Sequence, residues 1–242
     1  MKILAFFLSS LLCLALGSAA QERSFECPPR SAFPHKEGEK LVAKIQERYQ
    51  KVKGVRAKFY QYSFLAAMDT SELSSGVVSF SKPGRMRWDY ESPEKQVFLV
   101  KDGLLWFYQE AERQVVINDF KQALLSELPV AFLMGLGSLK NDFVLKDACR
   151  NAEGVVLSLS PVKKKQKSGE NEASELMGFK LLVNPLDDFP VGAQVKHAGG
   201  NLTAILLGDV EFDPPLDASL FEPQFPKGTD INDLRLTLQE GE

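Results

Sequence analysis

Histidine is nearly absent from this 242-residue chain, which holds two, His35 and His197, alongside only three cysteines. That scarcity removes most metal and nucleophile chemistry. No C-x-x-C, no H-x-x-x-H and no other zinc-like spacing occurs, so no metal site is expected. The G-x-x-x-x-G-K-[ST] pattern is missing, which excludes ATP hydrolysis of the P-loop type. No G-x-S-x-G segment accompanies His197, so a nucleophile-elbow hydrolase has no support. A pairing of Cys27 or Cys149 with His197 stays open, with no local pattern to favour it. Acidic neighbours such as Glu91 and Glu94, or Asp187 and Asp188, read as exposed turn residues. The expectation is a protein without catalytic residues or a cofactor.

An excess of basic charge is lacking too. There are 29 Lys and Arg against 32 Asp and Glu, a formal net charge of −3, which speaks against a nucleic-acid partner. After residue 20 no apolar run reaches the length of a membrane span. The one long run is at the start, "MKILAFFLSSLLCLALGSAAQE". Lys2, the apolar stretch Ile3 to Leu16 and the small-residue exit Ser18-Ala19-Ala20 are laid out as a secretory signal peptide over 1–20. Cys13 would suit a lipoprotein signal only behind a small residue, and Leu12 stands there. The remaining 21–242 is expected to be one exported domain and a monomer, with enough apolar residues for a single core. Cys27 and Cys149 would then meet an oxidising compartment. They either join as a disulfide or stand as separate thiols.

What the chain does contain is strand signal. Residues 21–38 show no clear period and read as an irregular arm. Leu41, Val42, Ile45, Tyr49 and Val52 recur at helical spacing, so a helix is expected over 39–53, ended by Gly54. Eleven short strands follow, at 55–64, 73–81, 85–91, 96–101, 104–109, 113–118, 142–148, 154–160, 176–184, 190–198 and 201–212. Asp102-Gly103 is a two-residue hairpin signal, and Asn184-Pro185 and Gly199-Gly200-Asn201 mark later reversals. With no βαβ rhythm, the expected fold is a curved antiparallel sheet. Within the interruption at 119–141, "VAFLMGL" is apolar nearly all round, so a helix there must be covered on several sides or touch a ligand. The stretch 163–174 reads as a solvated hairpin loop.

One strand carries the argument further. In "FSKPGRMRWDYE", Met86, Trp88 and Tyr90 share one face, and Arg85, Arg87 and Asp89 the other. The apolar face is either ordinary core or the lining of a pocket, with the ionic face wet and convex. Strands 96–101 and 104–109 are apolar on both faces and add Phe98 and Trp106. Phe59, Phe80 and the "AFLM" run with Phe132 and Leu133 complete the candidate lining.

The string "FSKPGRMRWDYESPEKQVFLVKDGLLWFY" resembles the signature region of the LolA family, periplasmic carriers of outer-membrane lipoproteins. "VAKIQERYQKVKGVRAKFYQYS" resembles that family's first helix and strand, "LPVAFLMGLGSLKNDF" its lid segment and "LFEPQFPKGTDI" its closing stretch. These pieces occur in family order over roughly residues 40–231. The resemblance implies an incomplete, mainly β, antiparallel barrel of about eleven strands with a helical lid over a hydrophobic cavity. It also implies a periplasmic, non-enzymatic carrier that takes acylated lipoproteins from an inner-membrane ABC transporter to an outer-membrane acceptor. Lys82 occupies a basic position where some relatives have Arg, and with Arg85 it is the candidate contact to the lid. A LolA-like lipid sensor or regulator is the alternative, and a lipid-ester hydrolase a more distant one.

Overall fold

A computed structural model of the chain describes residues 24–29, 31–120, 139–162, 176–197 and 199–237. The leader over 1–20, the lid segment with Phe132 and Leu133, and the loop 163–174 lie outside the described residues. Among the described residues, no helix is long and apolar enough to cross a membrane. Helix α1 (His35–Lys51) is followed by strands β1 (Gly54–Leu65), β2 (Thr70–Ser81), β3 (Arg85–Ser92), β4 (Gln96–Lys101), β5 (Leu104–Gln109) and β6 (Gln114–Asp119). A short helix α2 (Leu139–Asp142) leads into β7 (Phe143–Arg150), β8 (Val155–Pro161), β9 (Leu176–Asn184), β10 (Phe189–His197) and β11 (Leu202–Phe212). The last described elements are β12 (Asp230–Asp233) and α3 (Leu234–Thr237).

These twelve strands form one open sheet in the order β12-β6-β5-β4-β3-β2-β1-β11-β10-β9-β8-β7. Its two ends, β12 and β7, do not pair with each other, so this is an incomplete barrel, mainly β. Eleven strands match the expected positions within a few residues. The twelfth is not among those expected: β12 runs parallel to β6, with Asp230 beside Gln114 and Asp233 beside Ile117. Four residues long and rich in Asp, it lacks the apolar alternation that marks a strand in sequence.

The helix differs from expectation at both ends. It starts at His35, directly after Pro34, and stops at Lys51 because Val52 is already extended, with ψ of 129°. Gly54 therefore opens β1 rather than closing the helix. Leu41, Val42, Ile45 and Tyr49 are buried against β7 to β10, together with Leu145, Leu157, Leu181, Phe189 and Ala193. Burying one such side chain contributes about 2 kcal/mol. Gly38 lets α1 come this close, since a Cβ there would sit 2.7 Å from Leu145 Cδ2. Glu37 in the first turn and Arg48 and Lys51 in the last complement the helix dipole.

The outer face of the sheet is strapped at two places. Before His35 the described arm forms no helix or strand beyond one isolated bridge, Ala32 to Cys149, yet it is tied to the sheet. A disulfide joins Cys27 to Cys149 across 122 residues, and Phe25 is completely buried among Val156, Leu182 and Ala204. Phe33 N donates to Ala148 O at 2.8 Å and Arg150 N to Ser31 O at 2.9 Å, so the arm extends the β7 edge. Asn151 and Lys180 hold the carbonyls of Ser24, Glu26 and Phe25. At the other end, residues 213–226 cross β3 to β5, where Phe221 is buried and Phe225 packs on Tyr108 at 5.4 Å.

Candidate functional site

Register and strand alternation place the inner face of β1 to β6 in rows. One row is Met86, Val100, Leu105 and Asn118, and the next is Trp88, Phe98, Phe107 and Val116. Phe59 faces Gly76 across β1 and β2, and Gly76 in turn faces Tyr90. This glycine is required by close approach: a Cβ would lie 1.9 Å from Asp89 O and 2.9 Å from the Phe59 ring. Its absence lets the Phe59 ring cover the gap, edge-on to Trp88 at 4.7 Å and to Tyr90 at 4.8 Å. Tyr90 continues to Phe98 at 5.8 Å, and Phe98 stacks on Phe107 at 4.2 Å. The result is an aromatic row running across four strands.

Burial is graded along it. Phe59, Phe80, Met86 and Trp88 are at most 6% exposed, whereas Tyr90 and Phe98 are half-buried. The Trp88 indole N–H donates to Met86 Sδ at 2.9 Å, so its one polar atom is satisfied inside the apolar layer. Beside Phe80 and Trp88 a narrow apolar cavity of about 20 Å³ remains, bordered by Val78 and Leu207. Beyond Tyr90 the inner face opens into a cavity of about 310 Å³ bounded by Gln61, Ser74, Gln96, Phe98 and two carboxylates, Glu72 and Glu94.

The basic residues take other roles than a wet face would give them. Arg87 pairs with Asp89 at 2.8 Å and donates to Leu220 O at 3.2 Å, while the Arg85 guanidinium lies 5.4 Å over the Phe221 ring. The ionic face of β3 is thus half-buried under the C-terminal strap, because that segment supplies carbonyls and aromatic rings to pair with it. Lys82 points instead at the end of α1, where its ammonium donates to Tyr49 O and to Gln50 O. Desolvation there lowers the Lys82 pKa against the raising influence of Asp213. Asp213 accepts from Lys53 N at 2.6 Å and Gly54 N at 3.0 Å, and these N–H groups, Gly54 first, hold its carboxyl below the usual range. Lys82 and Asp213 together fasten the helix-to-strand corner.

Trp106 departs from expectation. It is in register with Leu99 and Ile117, on the face of Arg87, so it belongs under the outer strap and not in the aromatic row. A strand apolar on both faces gives no hint of which side is inner. Phe59, Phe80, Met86, Trp88, Tyr90 and Phe98 are brought together. Gly76 and the glutamines were missed, since neither residue type signals a lining in sequence. The disulfide also ends the nucleophile question for Cys27 and Cys149, whose sulfurs are bonded to each other. What this arrangement offers chemically is an apolar, aromatic seat with a polar end.

Comparisons with known proteins identify the family. A family model described as "Outer membrane lipoprotein carrier protein LolA" matches residues 50–224. An outer-membrane lipoprotein carrier protein of Ralstonia nicotianae is 32% identical over 158 residues, covering 65% of this chain and 68% of its own. One of Cupriavidus taiwanensis is 27% identical over 183 residues, covering 74% and 82%. Among solved structures, an uncharacterized conserved protein from Thermus thermophilus shares the fold with a TM-score of 0.51 at 12% identity, over 81% of this chain and 99% of that one. The family model spans well over half of the sequence, and the chain belongs to the LolA family.

Proposed function

We propose that the chain carries acylated lipoproteins across the periplasm, seating their acyl chains on the inner face of the sheet. The observation that carries this reading is the aromatic row Phe59, Trp88, Tyr90 and Phe98, which passes from full burial to half-burial as it reaches an open cavity. The curated relatives named as lipoprotein carriers support it. The leader over 1–20, cleaved on export, would place the protein there. An inner-membrane ABC transporter would load it and an outer-membrane acceptor would unload it.

The energetics suit a carrier. One methylene removed from water contributes about 0.8 kcal/mol, so a single long chain offers roughly 10 kcal/mol. Several chains bound at that strength would not be handed on. Here the seat packs on itself: Phe59 and Trp88 are buried by their own neighbours. A ligand must displace those contacts, which lowers its net affinity and leaves release within reach of a better-binding acceptor. No step calls for a catalytic group.

Native mass spectrometry of the untagged protein, isolated gently from the periplasm, tests this. Intact lipoprotein bound to the chain is the expected result. Phospholipid or fatty acid alone would replace the carrier reading with that of a lipid sensor, and a protein that never carries an acyl ligand would remove both.

A further inference from the structure

The polar end of the inner face has its own order. Tyr90 is in register with Gln96, Gln96 with Gln109, and Gln109 with Gln114, so three neighbouring strands present an amide one row beyond Trp88, Phe98 and Phe107. On the other side of Tyr90, Gln61 of β1 accepts from the Tyr90 hydroxyl at 3.0 Å. Ser74, 6% exposed, donates to Glu72 at 2.9 Å and turns that carboxylate toward the same space. Of these groups Gln61, Glu72, Ser74, Tyr90 and Gln96 border the cavity of about 310 Å³, with Glu94 from the β3–β4 turn, while Gln109 and Gln114 stand outside its lining. Among the described residues its lining holds uncharged donors and acceptors and two carboxylates but no Lys or Arg, and Lys95, next to Glu94, lies outside it.

We infer that this cavity is the subsite for the polar linkage of the acylated ligand, and that it selects an uncharged amide- and ester-bearing linkage over a phosphate headgroup. The inference rests on the carrier reading, since it takes the aromatic row as the acyl seat. A chain lying along that row brings its polar end to the glutamines. The Gln96 amide presents both N–H donors and a carbonyl acceptor, matching the amide and esters of an acylated, glyceride-bearing cysteine, while Gln61, which donates to Ser63 Oγ at 3.1 Å and accepts from Tyr90, must exchange one of those bonds to join it. A phosphate in the same place would share the cavity with Glu72 and Glu94, both exposed, with no cation among the described lining residues to offset them. Phospholipids share the membrane with the cargo and carry chains of the same chemistry, so the apolar row by itself does not turn them away. The charge at the mouth does.

Delipidated protein should be titrated with two probes of equal chain number and length, an S-diacylglyceryl-N-acetylcysteinyl dipeptide amide bearing no phosphate and phosphatidylglycerol, by displacement of an environment-sensitive fatty-acid dye. The expected result is at least a roughly tenfold preference for the uncharged probe at low salt, narrowing at high salt. The Glu72→Gln/Glu94→Gln protein should bind phosphatidylglycerol several-fold better, so that the preference for the uncharged probe narrows. In Gln61→Leu/Gln96→Leu the uncharged probe should weaken several-fold while the dye alone still binds. Equal binding of both probes by the parent protein, or no gain for phosphatidylglycerol on removing the carboxylates, would overturn the linkage subsite and leave the acyl seat standing. Failure of both probes and the dye to bind would overturn the carrier reading itself.

Discussion

Replacing Trp88 by alanine separates the two meanings of a buried aromatic row. The indole is 4% exposed, edge-on to Phe59 at 4.7 Å, and bonded through its N–H to Met86. Removing it withdraws roughly 200 Å² of apolar surface, which at about 25 cal/mol per Å² is ~5 kcal/mol as an upper figure. Partial collapse of neighbours brings the expected loss to about 3–5 kcal/mol. The space left would merge with the narrow apolar cavity beside Phe80 and Val78. Urea unfolding of the delipidated protein, followed by circular dichroism, measures the loss. Repeating it with saturating fatty acid should recover part of that loss, because an alkyl chain can refill an apolar cavity. Phe98→Ala, at a half-buried position, should cost less stability but more dye affinity. A loss below about 1 kcal/mol for Trp88→Ala would refute the reasoning, since an indole packed as described cannot be removed so lightly.

Cys149→Ser should cost about 2–5 kcal/mol, given the long loop closed by the disulfide, and should speed proteolytic cutting in the arm around residues 24–33, read by mass spectrometry of digests. Lys82→Ala removes the donor to Tyr49 O and Gln50 O; about 1 kcal/mol in urea unfolding is expected, with faster hydrogen exchange at the end of α1. No change in either readout would mean that packing alone holds the corner. The Asp213 carboxyl is depressed by the Gly54 and Lys53 N–H groups. Its contribution to stability is therefore fully present above the ordinary aspartate range of about 4 and is lost as pH falls through the lower, folded value. Asp213→Ala should be less stable than the parent at neutral pH and converge with it in acid, and equal offsets at about pH 7 and about pH 2 would contradict this.

Much of the framework is legible in the residues. Alternation in 85–90 and the Asp102-Gly103 turn predict β3 to β5 almost to their ends, because a period of two and a positive-φ turn are local demands. The spacing of Leu41, Ile45 and Tyr49 likewise announces α1 and its buried side. Family order of the motifs supplied the open barrel. Local pattern was silent where partners decide the outcome. β12 exists because β6 offers it an edge, and Trp106 faces outward because a distant segment, 213–226, covers that side.

The charges make the same point. Arg85, Arg87 and Lys82 look alike in a row of basic residues, yet one lies over Phe221, one pairs with Asp89 and Leu220 O, and one caps a helix. By itself the sequence determined the strand periods, the turns, the amphipathic helix and the lack of catalytic motifs, since each depends on neighbours within a few positions. Only the tertiary structure decided which face is inner, that Cys27 reaches Cys149, and that Gln61 of β1 and Gln96 of β4 meet at one cavity. Those outcomes depend on residues brought together across strands, and register between distant segments is set by the packed sheet as a whole.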